Sequence, residues 1–384
     1  MDSLFPYEKY VTGRSNIGRT AEAKAFANLL AAGEHVVIYE PPKTGKMSLV
    51  QQSFFNMKSA GQLFEPVQLS LLDVRTLSEL ARRLAAGALR SAGDGPAEYA
   101  ALARELLAGT RFVFDEERFE VCGEVLSLSG EAGPEELRAA FLLPYRIGRR
   151  AGVRRIVVIE EFQNVMLTED GDGACRMLET VFETLPAELA GCACYVFLGS
   201  QVNAMHEIFG VRRRFWRCAE RIQLGPIDSR EIIEHVVKGF LTSGKVVDRE
   251  LLQGMCRLFR DNIWYINHFS AICDSLTRGY IMEQTFKDAL DRIIAIHEPR
   301  FVAAMNDLTT FQLNLLRAIL DGHKRFSSAE IIRRYGLNSS ANVRRLKDAL
   351  CKKEIVTFDA DDNPVILDPL FDYWVRKFYF KTTA

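Results

Sequence analysis

Between Ile17 and Ala32 apolar residues recur every three or four positions and stop at Gly33, a pattern that predicts a helix with a glycine end. The run His35–Tyr39 that follows is short, β-branched and apolar enough for a strand buried on both faces of a parallel sheet. Two further runs, Ile156–Ile159 behind the basic pair Arg154 and Arg155, and Cys194–Leu198, have the same character. Helical periodicity covers Arg75–Arg90 and Leu137–Arg150, and the Ala/Gly/Glu-rich stretch Ala92–Glu105 reads as a helical excursion. Residues 91–133 are therefore expected to be an insertion that decorates the surface.

After residue 227 the pattern is helical: Glu231–Thr242, Asp248–Phe259, Tyr265–Arg278 and Met282–Ile296 each show a 3.6-residue period. A short link is expected near Pro299. Beyond it, Thr309–Leu320, Ser328–Tyr335 and Asn342–Lys353 predict three helices, and Ile355–Asp368 predicts a hairpin turning at Asp361, Asp362 and Asn363. Three helices followed by a hairpin make a winged helix. The expected domains are an α/β domain at 1–227, a helical lid at 228–298 and a winged helix at 299–384.

Composition narrows the functional classes. A chain of 384 residues with 48% hydrophobic residues can bury sizeable cores in two or three domains. No apolar run reaches the roughly 18 to 20 residues that cross a bilayer, and the opening residues lack a basic segment followed by a hydrophobic one. The expectation is a cytoplasmic protein with no membrane partner. The 8 cysteines are scattered and the 6 histidines lie far apart, so zinc-type spacing is absent and reduced thiols are expected. With 49 Lys and Arg against 50 Asp and Glu, any nucleic-acid site must be local.

The candidate chemistry starts directly after the first strand. Glu40-Pro41-Pro42-Lys43-Thr44-Gly45-Lys46-Met47-Ser48 has the outline of a phosphate-binding loop feeding a helix. In the full pattern, G-x-x-x-x-G-K-[ST], backbone amides and the helix N-terminus cradle phosphates, the lysine reaches the outer oxygens and the hydroxyl holds Mg²⁺. Gly45 and Lys46 keep the pattern. Glu40 replaces the first glycine and Met47 replaces the hydroxyl residue; the carboxylate must turn outward, and a thioether is too soft a ligand for Mg²⁺. Ser48 lies about 100° further round the helix and does not substitute directly. By itself this run reads better as a proline-rich turn capping an ordinary helix. The run Arg154–Glu160 adds a second signal, because Glu160 and Glu161 stand at the carboxyl end of a strand, where open parallel sheets bind ligands. The Cys194–Leu198 run ends in Gly199-Ser200-Gln201 and brings small polar groups to the same edge.

At these residues the chain resembles the archaeal-type ATPase family of the STAND/AAA+ P-loop NTPases, a group also abundant in bacteria such as Bacteroidetes. The landmarks are Val11-Thr12-Gly13-Arg14, the loop at 41–48, Glu160-Glu161-Phe162-Gln163, Leu198-Gly199-Ser200, the segment from Phe215 to Ile227, and Asp261–Ile266. The resemblance implies an α/β P-loop NTPase fold, with an AAA+/STAND-like parallel sheet flanked by helices, a helical lid and a C-terminal winged helix. It implies ATP or ADP as ligand, with Mg²⁺. Gly13 and Arg14 would line the adenine side; Pro42, Lys43, Thr44, Gly45, Lys46, Met47 and Ser48 would form the phosphate loop; and Glu160 would hold the metal. Glu161 would polarise water, Ser200 or Gln201 would be the polar sensor, and Arg217 would be an arginine finger, with Arg213 and Arg214 as neighbouring candidates. A solvated basic turn explains those three arginines equally well. Asp261–Ile266 lacks the Gly and Pro of the family's lid motif. Leu367–Trp374 resembles the family's D-P-x-F-x-x-W segment and is expected to pack the wing back onto the body.

From Lys324 to Phe358 there are 9 Lys and Arg against 3 Asp and Glu, the local excess that a phosphate-tracking surface requires. Arg344, Arg345 and Lys347 are the candidates to face DNA, on a helix opened by Ser339. A protein partner fits a winged helix as well, and the oligomeric state stays open. Two readings follow: a nucleotide-dependent switch with weak hydrolysis, or a pseudo-ATPase scaffold or DNA-binding regulator acting through its winged helix.

Overall fold

The computed structural model describes residues 4–13 and 16–381. By internal contacts the chain forms two compact units, one of residues 20–40 and 49–224, the other of residues 1–19, 41–48 and 225–384.

The first unit contains α1 (Thr20–Ala32), β1 (His35–Tyr39), most of α2 (Lys46–Ser59), β2 (Phe64–Ser70), α3 (Leu77–Arg90), α4 (Pro96–Leu106), β3 (Phe112–Val113), α5 (Glu116–Cys122) and β4 (Ser127–Leu128). It continues through α6 (Pro134–Ala151), β5 (Arg154–Glu160), α7 (Gly171–Glu183), β6 (Ala193–Gly199), α8 (Val202–Phe209) and β7 (Ala219–Arg221). The helix expected from Ile17 begins later, because Gly18 and Arg19 sit at φ 62 and 58, outside helical space.

Five strands form one sheet in the order β2-β5-β6-β1-β7, and every neighbouring pair is parallel. The apolar runs occupy its centre: β6 is buried along its whole length, and β1 and β5 almost so. Strand β2 was not expected, because Glu65, Pro66 and Gln68 break the strand signature. It sits at the sheet edge, where proline's missing donor is tolerated. Tyr39 pairs with Gly199, Ile159 with Phe197 and Ser70 with Glu160, so Glu40, Glu160 and Ser200 all emerge at the carboxyl edge of the sheet.

Residues 91–133 are more than the expected surface decoration. Tyr99, Leu102, Ala103, Leu107, Phe112, Val125 and Leu126 join the buried core of this unit, a better outcome for so many apolar side chains than exposure to water.

The second unit is built from α9 (Ser229–Thr242), β8 (Val246–Val247), α10 (Arg249–Phe259), α11 (Ile263–Leu276), β9 (Tyr280–Ile281), α12 (Glu283–Asn306) and α13 (Thr310–Leu320). It ends with α14 (Ala329–Tyr335), α15 (Ser340–Lys352), the antiparallel pair β10 (Val356–Phe358) and β11 (Pro364–Ile366), and α16 (Pro369–Trp374). Most of these helices start at a side-chain cap: Asp228, Asp248, Asn262, Thr309, Ser328, Ser339 and Asp368 each accept from a backbone amide of the first turn.

The link expected near Pro299 does not exist. Pro299 lies inside the 24-residue α12, where a proline costs about 3 kcal/mol in an isolated helix. Ile293, Ile294, His297, Phe301 and Met305 are buried on both sides of it, and that continuous apolar face holds the helix together through the proline. Among the described residues no helix is long and apolar enough to cross a membrane.

Candidate functional site

The loop at 41–48 is shaped by two left-handed residues, Lys43 at φ 65 and Gly45 at φ 89. A Cβ on Gly45 would meet nothing within 4 Å, so glycine is needed there for its backbone freedom rather than for space. Helix α2 opens at Lys46, which places its N-terminal turn and the positive end of its dipole at the loop. Lys46 Nζ and Thr44 Oγ1 both donate to the Pro41 carbonyl at 2.9 Å, and Arg19 donates to the carbonyls of Thr44 (3.3 Å) and Gly225 (2.8 Å). Ser48 Oγ accepts from the Val11 amide at 3.2 Å, and Met47 is half-buried. Gly13 makes a turn at φ 63, its carbonyl accepting from Asn16 at 3.2 Å; Arg14 lies outside the described residues. Pro42 is exposed, and Lys43 Nζ sits 3.5 Å from the centroid of the Trp264 ring.

In the first unit, Glu160 closes β5 and Glu161 turns the chain at φ 54 into a 3₁₀ segment, Phe162–Leu167. Burial, and then the neighbouring Glu161, raise the Glu160 carboxyl above its ordinary range. Glu161 Oε2 accepts from Ser200 Oγ at 2.5 Å and from Gln163 Nε2 at 2.6 Å. Gln163 was visible in the motif but had no assigned role; here it is a second donor that fixes Glu161, and its Oε1 is buried with no hydrogen-bond partner among the described residues. A Cβ on Gly199 would lie 2.2 Å from Met205 Cγ and 2.9 Å from Gln163 Oε1, so any larger residue at the end of β6 would force those two side chains to shift. Glu40 turns to the side, where Oε1 accepts from the Leu224 amide at 3.1 Å.

The three arginines of the basic turn separate. Arg213 pairs with Glu207 at 3.0 Å, Arg214 pairs with Asp172, and Arg217 is exposed with no ion pair among the described residues. On α15, capped by Ser339 Oγ at the Asn342 amide (3.2 Å), Arg344 and Arg345 are exposed. Lys347 instead pairs with Asp362 of the hairpin turn and lies 4.0 Å over the Phe358 ring.

A cluster that the sequence did not announce joins α11, α12 and α16. The Tyr265 hydroxyl donates to both Asp368 oxygens (2.9 and 2.8 Å), Arg300 donates to Asp368 at 2.6 Å and to the Tyr265 hydroxyl, and Asp368 also caps α16 through the Leu370 and Phe371 amides. Asp372 pairs with Arg260 and Arg376. The Asp368–Trp374 segment is thus fastened to the helices before it.

Residues 299–377 match the family described as a probable winged helix domain. No curated protein matches the chain. Among solved structures, the chain is similar to the Walker-type ATPase of Pyrococcus abyssi, with 15% identity and a TM-score of 0.68 over 97% of this chain and 99% of that one. It is also similar to the ORC2 protein of Aeropyrum pernix. The ADP form aligns with 13% identity and a TM-score of 0.53, covering 96% and 93% of the two chains; the ADPNP-ADP complexes align with 14% and 0.52, covering 97% and 95%. The fold is that of the AAA+ ATPases, a parallel sheet flanked by helices, with a C-terminal winged helix.

Proposed function

We propose that this chain is an ATP- or ADP-binding protein of the STAND/AAA+ type, in which nucleotide at the 41–48 loop sets the arrangement of the C-terminal helices and winged helix while hydrolysis is weak. The carrying observation is the loop itself: left-handed Gly45, then Lys46 opening α2, a backbone that presents amides, a dipole and an ammonium to phosphate. Residues 1–227 would be the nucleotide domain, with Gly13 and Arg14 on the adenine side and Ser200 as sensor. The solved ORC2 complexes with ADP and ADPNP support this choice of ligand.

The fit to Mg²⁺ is one-sided. Glu160 and Glu161 are hard oxygen donors whose mutual repulsion a cation would relieve. Met47 offers only sulfur, the Ser48 hydroxyl is engaged by Val11, and the Thr44 hydroxyl is turned to Pro41, so the loop supplies no free hydroxyl ligand. A phosphate loop without a hydroxyl ligand for the metal would leave turnover weak while phosphate binding persists. Glu161, fixed by Ser200 and Gln163, would orient water, and Arg217 would act as the finger.

Calorimetric titration with ATP and ADP, with and without Mg²⁺, beside a phosphate-release assay tests this reading. Binding that weakens at least ten-fold in Lys46→Ala, with little phosphate released, is expected. Unchanged affinity in Lys46→Ala would place the nucleotide elsewhere. A cytoplasmic DNA-binding regulator is the second reading, favoured by the exposed Arg344 and Arg345 pair. Its measure is duplex binding that loses salt dependence on Arg344→Ala and Arg345→Ala.

A further inference from the structure

Lys46 is the lysine of the phosphate-loop pattern, but Lys43 makes the more unusual contact. Its backbone is held left-handed at φ 65, a conformation few non-glycine residues adopt, and its ammonium lies 3.5 Å from the Trp264 ring centroid. Trp264 is a fixed target: its Nε1 donates to the Tyr7 carbonyl at 2.5 Å, and its own amide is bound by Asn262 Oδ1 at 3.1 Å. Tyr7 in turn stacks on His268 with centroids 4.2 Å apart and planes at 11°. The next residue along α11 is Tyr265, whose hydroxyl meets Asp368, the cap of α16. From the Lys43 ammonium to the first turn of α16 there is one path of adjacent residues and direct contacts, all within the second compact unit. Burial and the nearby Arg300 guanidinium lower the Lys43 ammonium's pKa, so the cation is held on the ring against some opposition.

Resting on the nucleotide-binding reading of the loop, we propose that Lys43 is a phosphate-responsive latch with two mutually exclusive partners, the Trp264 indole and the outer phosphate of a nucleoside triphosphate. A full anion attracts an ammonium more strongly than a ring quadrupole does. Phosphate therefore draws Lys43 off the indole. The change is delivered to the N-terminal turn of α11, and through Tyr265 and Asp368 to α16.

Intrinsic fluorescence of the full chain during ATP titration, run beside calorimetry, tests the latch; Trp264→Phe supplies the signal of Trp216 and Trp374 for subtraction. Expected are an ATP-dependent change in the Trp264 emission, its loss in Lys43→Met at ATP concentrations that calorimetry shows to saturate that variant, and ATP affinity about three-fold tighter in Trp264→Phe because the competing partner is weaker. Binding heat without any change in Trp264 emission, or a change of full size in Lys43→Met, would overturn the latch and leave nucleotide binding standing. No binding heat at all would remove both.

Discussion

Replacing Asp368 by alanine removes two kinds of support at once. One is the cap of α16, where Oδ1 accepts from the Leu370 and Phe371 amides at 2.9 and 3.1 Å; losing such a cap costs about 1 kcal/mol. The other is the acceptor for the buried Tyr265 hydroxyl and for Arg300, whose side chain is 49% exposed. Solvent screening limits the Arg300 pair to about 0.5 kcal/mol, whereas an unsatisfied Tyr265 hydroxyl costs about 1 to 2 kcal/mol. The sum for Asp368→Ala is about 3 kcal/mol. Asp368→Asn keeps a carbonyl oxygen for the cap and for Tyr265 and gives up only the charge, so about 1 kcal/mol is expected. Urea unfolding followed by tryptophan emission reads the right region, since Trp264 and Trp374 both belong to the second unit. Arg300→Met completes a double-mutant cycle with a coupling of about 0.5 kcal/mol. Asp368→Ala within about 0.5 kcal/mol of the parent, or Asp368→Asn as damaging as alanine, would refute the reasoning.

Two further outcomes are expected. Gly199→Ala puts a Cβ 2.2 Å from Cγ of the fully buried Met205, so thermal and urea unfolding should show a loss of about 1 to 3 kcal/mol, part of which Met205→Ala restores; an unaffected Gly199→Ala would mean that Met205 moves freely. His297, on α12, is pushed down to about 4 by burial, then by Arg300 and His268, with Lys43 adding and Asp368 opposing. The unfolded chain then binds the proton first, so stability should fall as pH drops from about 6.5 to 4, by about 1.4 kcal/mol per unit and about 3 kcal/mol in all for this residue, and His297→Leu should flatten the slope by about one proton.

The central strands could be read from the chain because a strand buried on both faces shows as an unbroken apolar run, and β1, β5 and β6 do. Strand β2 could not, because at an edge the sheet tolerates Glu65, Pro66 and Gln68, and the sequence there resembles a loop. The continuity of α12 escaped for a related reason: proline's local cost is visible in sequence, while the buried face that offsets it depends on tertiary partners. In the candidate site, the loop and the paired acids were legible as residue types at fixed spacing. What holds them was not. Gln163 and Ser200 converge on Glu161, Asp362 claims Lys347, and Trp264 receives Lys43, each through contacts that sequence spacing does not encode.

The uninterrupted α12 has a practical consequence for dissecting this protein. The winged-helix match begins at residue 299, inside that helix. A fragment excised there would start two-thirds of the way along a rod of about 36 Å, with Phe301 stripped of the turns that precede it. It would also lack Tyr265, and Arg300 would be left as its second residue, so the Asp368 hub would be dismantled with it. A cut that keeps Tyr265, Arg300 and Asp368 in one piece falls before α11, and it leaves the winged-helix sequence joined to the whole of α12.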